Sequence, residues 1–440
     1  MVTTPSVATQ KQSARVIPRS AHSISKTDIS ISALKVMNRL HKNQWEAYLV
    51  GGSVRDLLLR KTPKDFDVAT DAHPNQIREL FRNCHLIGRR FRLAHIQFGR
   101  EIIEVATFRA NIPLEEENEE EDILRARSRQ IKSKEGMILQ DNVYGDIVQD
   151  AWRRDFTINA LYYNIADYSI VDFTGGFEDL KNKMIRLIGD PTTRYQEDPV
   201  RMLRAIRFAT KLDFELDPAT EKPIKTLAPL LKKVPSARLF DEIMKLYYTG
   251  CAGKTHSKLC QYNLFAQLFP LTSRVLSEER TQRLIEHTLE STDGRINANK
   301  PVTPSFFMAA LLWHPLLKQV AALEKTGLEP LAALEQAMSQ VIAEQNQHIA
   351  IPRRFTQVMR EIWFLQYRFP RRYGKRPLLL LQHPRFRAAY DFLLIRTLAE
   401  EAPMELAEWW TEFQETDSAT QHRMLSEANH AHTQQLANAP

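Results

Sequence analysis

Between Ile29 and Thr174 the apolar and polar positions switch repeatedly between two periods. Ser32–Asn43 repeats apolar residues every three to four positions, the stripe of an amphipathic helix. Ala47–Val50 is a short apolar run, and Phe66–Thr70, His95–Phe98 and Ile102–Phe108 also read as strands. Ser53–Arg60 and Pro74–Arg82 read as helices, the second with proline at its start. This pattern predicts an α+β unit around a small mixed sheet. After Gly175–Gly176 strand runs stop and glycine becomes scarce. Helical periodicity takes over at Pro199–Thr210, Pro218–Leu231, Ala237–Tyr248, Phe306–Leu323, Glu329–Gln345, Arg354–Arg368 and Pro384–Leu398. The second half is therefore expected to be all-helical.

Length divides this pattern further, since 440 residues suffice for several domains. The expected divisions are a disordered leader over 1–28, an α+β head over 29–176 and a helical neck over 177–250. A helical body over 251–411 and a polar flexible tail over 412–440 complete the chain. Met1–Ser25 is rich in Ser, Thr and basic residues but lacks the apolar core of a secretory signal. No apolar run approaches the ~20 residues of a membrane span. Three cysteines, Cys84, Cys251 and Cys260, make neither a disulfide framework nor a metal quartet, which fits a reducing cytoplasm. Glu115–Asp122 holds seven acids in eight residues and reads as a solvated loop.

Charge changes the picture of the helical half. Ile351–Arg396 carries eleven basic residues against Glu361 and Asp391, so this segment has a charge of +9 in a chain whose total is +7. Arg353, Arg354, Arg368, Arg371, Arg372, Lys375, Arg376, Arg385 and Arg387 are interleaved with Phe355, Tyr367, Tyr373, Phe386 and Tyr390. Arginine forks phosphate oxygens, and aromatic rings offer platforms for bases. A nucleic-acid surface is expected here; a helical bundle with one solvated basic face is the alternative.

The candidate chemistry lies in the first half. Asp65 and Asp67 flank Phe66, and a strand's period of two puts both carboxylates on one face with Phe66 turned inward. Such a pair suits a hard divalent cation that also takes substrate phosphates, although two exposed acids at a strand end would look the same. Gly51–Gly52 follows an apolar strand and opens a helix, a setting in which backbone amides approach phosphate. Neither a P-loop nor a dinucleotide fingerprint is present. Arg55 and Lys64 could neutralise a triphosphate. Glu104 would add a third carboxylate if its strand pairs beside Phe66–Thr70. Glu197, Asp198, Arg201, Arg204 and Arg207 recur at spacings near three, so they are expected to share one helical face. His256 and His383 stand alone and read as structural or surface residues.

Four motifs occur in order: LVGGSVRDLLL, DFD, RRDFTINAL (Arg153–Leu161) and EDPVRMLRAIRF (Glu197–Phe208). Together they resemble the head and neck of the class II nucleotidyltransferases, the family of tRNA CCA-adding enzymes and bacterial poly(A) polymerases. The resemblance implies a polymerase-beta-like head followed by helical neck and body domains. It implies Gly51, Gly52, Arg55 and Lys64 at the triphosphate of ATP as substrate, and Mg²⁺ on Asp65 and Asp67. Glu104 matches a third acid, and Asp155 is a further candidate for the catalytic set. Arg154, Asp155 and Asn159 match the nucleotide side of the site, and Asp198, Arg201, Arg204 and Arg207 the base-reading helix.

The segment IGRRFRLAHI (Ile87–Ile96) resembles the one that marks the poly(A)-adding branch, and its basic side chains could restrict the pocket to ATP. ARLFDEIMKLYYTG, IPRRFTQVMREIW and GKRPLLLLQHPRFRAAYDFLL resemble that branch's body. One departure stands out, because Arg423 is the sole Lys or Arg of Glu412–Pro440, where such enzymes often carry a basic arm. The reading is a template-independent adenylyltransferase acting on RNA 3′ ends. RNA-decay machinery is an expected partner, the enzyme is expected to be a cytoplasmic monomer, and no membrane is involved. A CCA-adding enzyme is the alternative, and a catalytically silent RNA-binding protein a third reading.

Overall fold

The computed structural model describes residues 14–88, 92–110, 131–132, 138–140 and 143–437. It divides into two compact units, Met1–Leu227 and Ala228–Pro440.

Unit 1 is built on an eight-stranded mixed sheet. Its strands are β1 (Arg15–Ile17), β2 (Ala47–Val50), β3 (Asp67–Thr70), β4 (Cys84–Ile87), β5 (Leu93–Phe98) and β6 (Glu101–Thr107), joined by β9 (Leu161–Asn164) and β10 (Ile170–Asp172). The pair β7 (Ile131–Lys132) and β8 (Ile138–Gln140) stands apart as a small hairpin. The spatial order is β1-β10-β9-β2-β3-β6-β5-β4, with β3 and β6 parallel and the other neighbours antiparallel.

Alternation along the central strands explains their apolar composition. Leu49, Val68, Leu161 and Tyr163 pack into one core with Val36, Met37 and Leu40 of the helix Ile31–Lys42. Their neighbours Val50, Ala69 and Tyr162 join a second core with Phe108, Ala151 and Phe173. Both faces are covered, so successive residues are buried and the strands read as continuous apolar runs. Phe66 packs on the first core, which leaves Asp67 on the face of Ala69 and Val50.

The expected disordered leader needs correction over residues 14–28. Arg15–Ile17 is an edge strand paired with β10, Ile17 is buried, and the Arg15 guanidinium bonds Glu178 at 2.9 Å. Ser25 and Asp28 then form a reciprocal cap on the 3-10 turn Lys26–Asp28. Residues 1–13 and the acidic segment Glu115–Asp122 lie outside the described residues. Strands also continue past residue 176, where β11 (Met184–Ile185) and β12 (Glu215–Leu216) form a parallel pair. The stretch expected as one helix, Pro218–Leu231, is instead Pro218–Glu221, Ile224–Leu227 and the 3-10 segment Ala228–Lys233. Pro223, which has no amide N–H to donate, stands at the interruption between the first two pieces. The division between the two units falls here, between Leu227 and Ala228.

Unit 2 is helical. The expected helix Phe306–Leu323 is two, Pro304–Leu311 and Trp313–Glu324, bent by 53°. Pro315 cannot donate to the preceding turn and so sits at the start of the second piece. The 19-residue helix Glu279–Asn297 has no counterpart among the expected helices. Its inner face is Leu284, Ile285 and Leu289 extended by Thr281, Thr288 and Thr292, and buried threonines hide an apolar stripe. No single helix among the described residues is long and apolar enough to cross a membrane.

The tail also needs correction. Ser418–Ala437 is a helix whose Met424 and Leu425 are buried with Trp410, Phe413, Leu406 and Phe386. Its His432 ring stacks on Tyr373 at 3.6 Å between centroids, and Asn429 accepts a 2.7 Å bond from the Gly374 amide.

Candidate active site

Asp67 opens β3 and stands in register with Val50 of β2 on one side and Glu104 of β6 on the other. A parallel register puts Asp67 and Glu104 on the same face, so the strand pairing anticipated for Glu104 is present. Asp65 lies exposed in the turn before the strand, beside exposed Lys64. Burial raises the Asp67 carboxyl to about 6; the charges of Glu104 and Asp65 add to the rise, and Arg154 and His95 oppose it. His95 faces Glu104 across the strands, Nε2 to Oε2 3.2 Å. Among the described residues no three metal-ligating side chains stand close enough to hold an ion unaided.

Gly51 brings the two halves of the first motif together. It ends β2 with φ +78°, a left-handed conformation that favours glycine, and caps the helix Gly52–Leu58. A side chain built there would stand 3.7 Å from Asp67 Oδ2 and 3.8 Å from Arg154 Nη1. The bare backbone of Gly51 thus lies beside both a carboxylate and a guanidinium.

Arg154 is held by its own helix. Its Nε and Nη2 donate to Asp150 Oδ2 at 3.1 and 2.9 Å, and Nε also reaches the Tyr162 hydroxyl. Tyr162 in turn donates to Asp150 at 2.7 Å. Burial alone would raise the Asp150 carboxyl, but the charges of Arg154 and Arg153 outweigh it and hold it low. Asp150 and Tyr162 are absent from the expected set. The i,i+4 spacing of Asp150 and Arg154 is the signal that identifies the first.

Arg55, Asn159, Asp155 and Arg204 form one chain of bonds. Arg55 is buried; it is forked on Asp56 Oδ1 at 2.7–2.8 Å and donates to Asn159 Oδ1 at 2.8 Å. Asn159 donates onward to Asp155 Oδ1 at 3.3 Å, and Arg204 Nε donates to Asp155 Oδ2 at 2.6 Å. Burial would raise the Asp155 carboxyl, yet the Arg204 charge and its bonds, with the Phe156 amide, hold it near 2. Asp155 thus accepts bonds from both Arg204 and Asn159. Beneath this chain Phe208 receives the guanidiniums of Arg55, Arg204 and Arg207 at 5.1–5.4 Å. Phe208 closes the fourth motif, but sequence gives no sign that three cations converge on it.

The run Glu197–Arg207 is interrupted where a shared helical face is expected. Pro191–Glu197 ends at Asp198, and Val200–Leu212 begins after Pro199. Arg201 is buried, donating to the Arg194 carbonyl at 2.7 Å and to Glu197 at 3.1 Å. Arg194 also pairs with Glu197 and reaches the carbonyls of Arg153 and Arg154 at 2.6 and 2.5 Å. Burial, then the Arg201 charge, lowers Arg194 to about 10. Asp198 sits half-buried in the break, accepting from the Val200 amide. In IGRRFRLAHI, residues Arg89, Arg90 and Phe91 lie outside the described residues.

In unit 2 the basic residues are mostly exposed. Arg353 and Arg354 open the helix Arg353–Gln366, and Arg354 covers Phe355. Arg368, Arg371 and Arg376 line a cleft of about 190 Å³. Arg376 stacks over Tyr373, Arg372 pairs with Glu405, and Lys375 is exposed between them. Arg385 and Arg387 pair with Glu361 and Asp391. His256 accepts from or donates to the Tyr247 hydroxyl at 3.1 Å, consistent with a structural residue.

Three family descriptions match this chain: "Poly A polymerase head domain" over residues 47–186, "Probable RNA and SrmB- binding site of polymerase A" over 213–276, and "Polymerase A arginine-rich C-terminus" over 326–439. Poly(A) polymerase I of Escherichia coli O6:H1 is 50% identical over 418 residues, 94% of this chain and 88% of that protein. The CCA-adding enzyme of Bacillus licheniformis is 35% identical over 242 residues, 55% of this chain and 56% of that protein. Among solved structures, the Bacillus stearothermophilus CCA-adding enzyme in complex with CTP superposes with a TM-score of 0.59 at 23% identity. It covers 86% of this chain and 80% of that one, a likeness of fold.

Proposed function

The chain belongs to the poly(A) polymerase family, polynucleotide adenylyltransferases that extend RNA 3′ ends with AMP from ATP, and we propose how its residues divide that work. The 3′-hydroxyl oxygen of RNA attacks the α-phosphorus of ATP; the new ester bond forms, the bond to the β-phosphate oxygen breaks, and pyrophosphate leaves. Glu104, in register with Asp67 and faced by His95, takes up the hydroxyl proton. Gly51 and Gly52 let the triphosphate approach the backbone, and Arg154 and Lys64 offset its charge. Asp65 and Asp67 are hard oxygen donors, and burial together with the charges of Glu104 and Asp65 raises the Asp67 carboxyl, so these two residues would hold Mg²⁺. When bound, the ion neutralises charge at the reacting phosphate.

The observation that carries this reading is the register of Asp67 with Glu104 beside the bare backbone of Gly51. Asp198, Arg201 and Arg204 are proposed to shape the adenine side of the pocket. For Arg201 this works through Glu197 and the Arg194 carbonyl. For Arg55 and Asp155 we propose positioning roles, because their bonds run to Asn159 and Arg204. The basic residues of unit 2 hold the RNA body. Action as a monomer in the cytoplasm, on transcripts destined for decay, belongs to the same proposal.

The test offers the purified protein a single-stranded RNA and a tRNA lacking CCA, with each nucleotide separately and with CTP and ATP together. Long tails from ATP alone are expected. Addition that stops after CCA would assign the alternative, and no incorporation would leave an RNA-binding protein.

A further inference from the structure

A groove of about 700 Å³ lies wholly within unit 2, walled by the helices Glu279–Asn297, Arg353–Gln366 and Phe386–Leu398 and by the segment before Pro304–Leu311. That volume is within the ~300–1,000 Å³ of sites that enclose nucleotide-sized ligands. Its apolar floor includes Phe306, Val358, Leu394 and Leu398, while Phe355 is already covered by Arg354 and stacked on Phe240. Leu398 is 57% exposed, so the apolar floor is open to an incoming ligand.

The rim carries the opposite chemistry. Arg295, Arg354, Arg385 and Arg387 stand around the groove against one carboxylate, Asp391, which already pairs with Arg387. Arg295 donates through Nε to the Pro301 carbonyl, Arg385 through Nε to Glu361, and Arg387 through Nε to Asp391. Bracing at Nε orients each side chain in advance, so less entropy is lost when the outer amino groups take a phosphate. Arg295 lies well outside the basic stretch at Ile351–Arg396, and only the fold brings it to the same rim.

An apolar floor inside a ring of arginines matches a ligand with flat faces and a chain of negative charges. We infer that this groove seats bases of single-stranded RNA on its floor while its arginines hold the flanking phosphates. This rests on the reading that the basic residues of unit 2 hold the RNA body, and adds that the contact is to bases as well as phosphates. A protein partner would need no such ring of cations around so small a floor.

The test measures binding of the full chain to a labelled oligoadenylate and to an abasic chain of equal length, over a range of salt. Val358→Ser with Leu398→Ser removes apolar floor without changing charge, Arg295→Gln removes one rim cation, and Arg371→Gln with Arg376→Gln alters the separate cleft. The floor variant is expected to weaken oligoadenylate binding about tenfold and leave the abasic chain unchanged. Arg295→Gln is expected to weaken both probes and lower the salt slope by roughly 0.7. A floor variant that binds both probes like the parent, or weakens both alike, overturns the groove. If the Arg371/Arg376 variant then still weakens binding, the broader RNA reading stands. If all three variants bind like the parent, that reading falls and the groove with it. Arg295 lies at the surface, so its result decides the matter should the floor variant melt early.

Discussion

At the scale of single residues, the acids differ in what they are free to do. Asp67 faces Glu104 and has a raised pKa, whereas Asp155 is held near 2 by Arg204. Asp67→Asn should lower AMP incorporation by at least about a hundredfold while RNA affinity stays within twofold, checked by single-turnover assay and filter binding. Asn159 tests the other half of the site. Replacing it with Ala leaves the buried Arg55 without its 2.8 Å acceptor and Asp155 without one donor, which should cost about 1–3 kcal/mol of unit 1 stability and raise KM for ATP. Denaturant unfolding and initial-rate kinetics read the two effects. The register of Asp67 with Glu104 was legible in the sequence because two short apolar runs announce paired strands, whereas Asp65 lies before the strand, where a period of two does not apply. The burial of Arg55 was not legible, since its partner Asn159 lies 104 positions along the chain and neither residue's neighbours betray the meeting.

At the scale of elements, the strands at Ala47–Val50, Asp67–Thr70, Leu93–Phe98 and Glu101–Thr107 and helices such as Val200–Leu212 and Arg353–Gln366 followed from periodicity to within a few residues, whereas the edge strands and the helix Glu279–Asn297 did not. Nor did breaks. Asp198–Pro199 divides a run whose charges still recur at a helical spacing, and periodicity alone cannot distinguish a helix from two helices in phase. The helix Ala252–Gln261 offers a test of packing through pH. His256 is half-buried with its ring edge-on to Phe265, and desolvation lowers it to about 4 from 6.5. Below pH 6.5 the unfolded chain takes up a proton that the folded chain refuses, so stability falls as pH drops toward 4. The loss reaches about 3 kcal/mol. Unfolding midpoints of the parent and His256→Gln, compared across pH 4–7, should diverge in that window, with the variant showing the shallower decline.

At the scale of the whole molecule, the tail diverges furthest from its composition. A polar segment with one arginine suggests solvent exposure, yet Met424 and Leu425 are spaced to enter a core whose aromatic members lie before residue 414. Two apolar residues in a polar run carry too little periodicity to announce this. Deleting Ser418–Pro440 should therefore destabilise unit 2 by several kcal/mol, since it uncovers Trp410 and Phe413, and should expose surface that binds a hydrophobic dye. The same helix supports Tyr373 and Gly374 within the basic turn Arg371–Arg376. Synthesis runs from the N-terminus, so that turn, which Arg372 ties to Glu405, gains its last braces only once Asn429 and His432 have been added and have left the ribosome. A nascent chain can thus complete the sheet of unit 1 well before its basic turn is braced, and that turn is among the last parts of the enzyme to reach its final geometry.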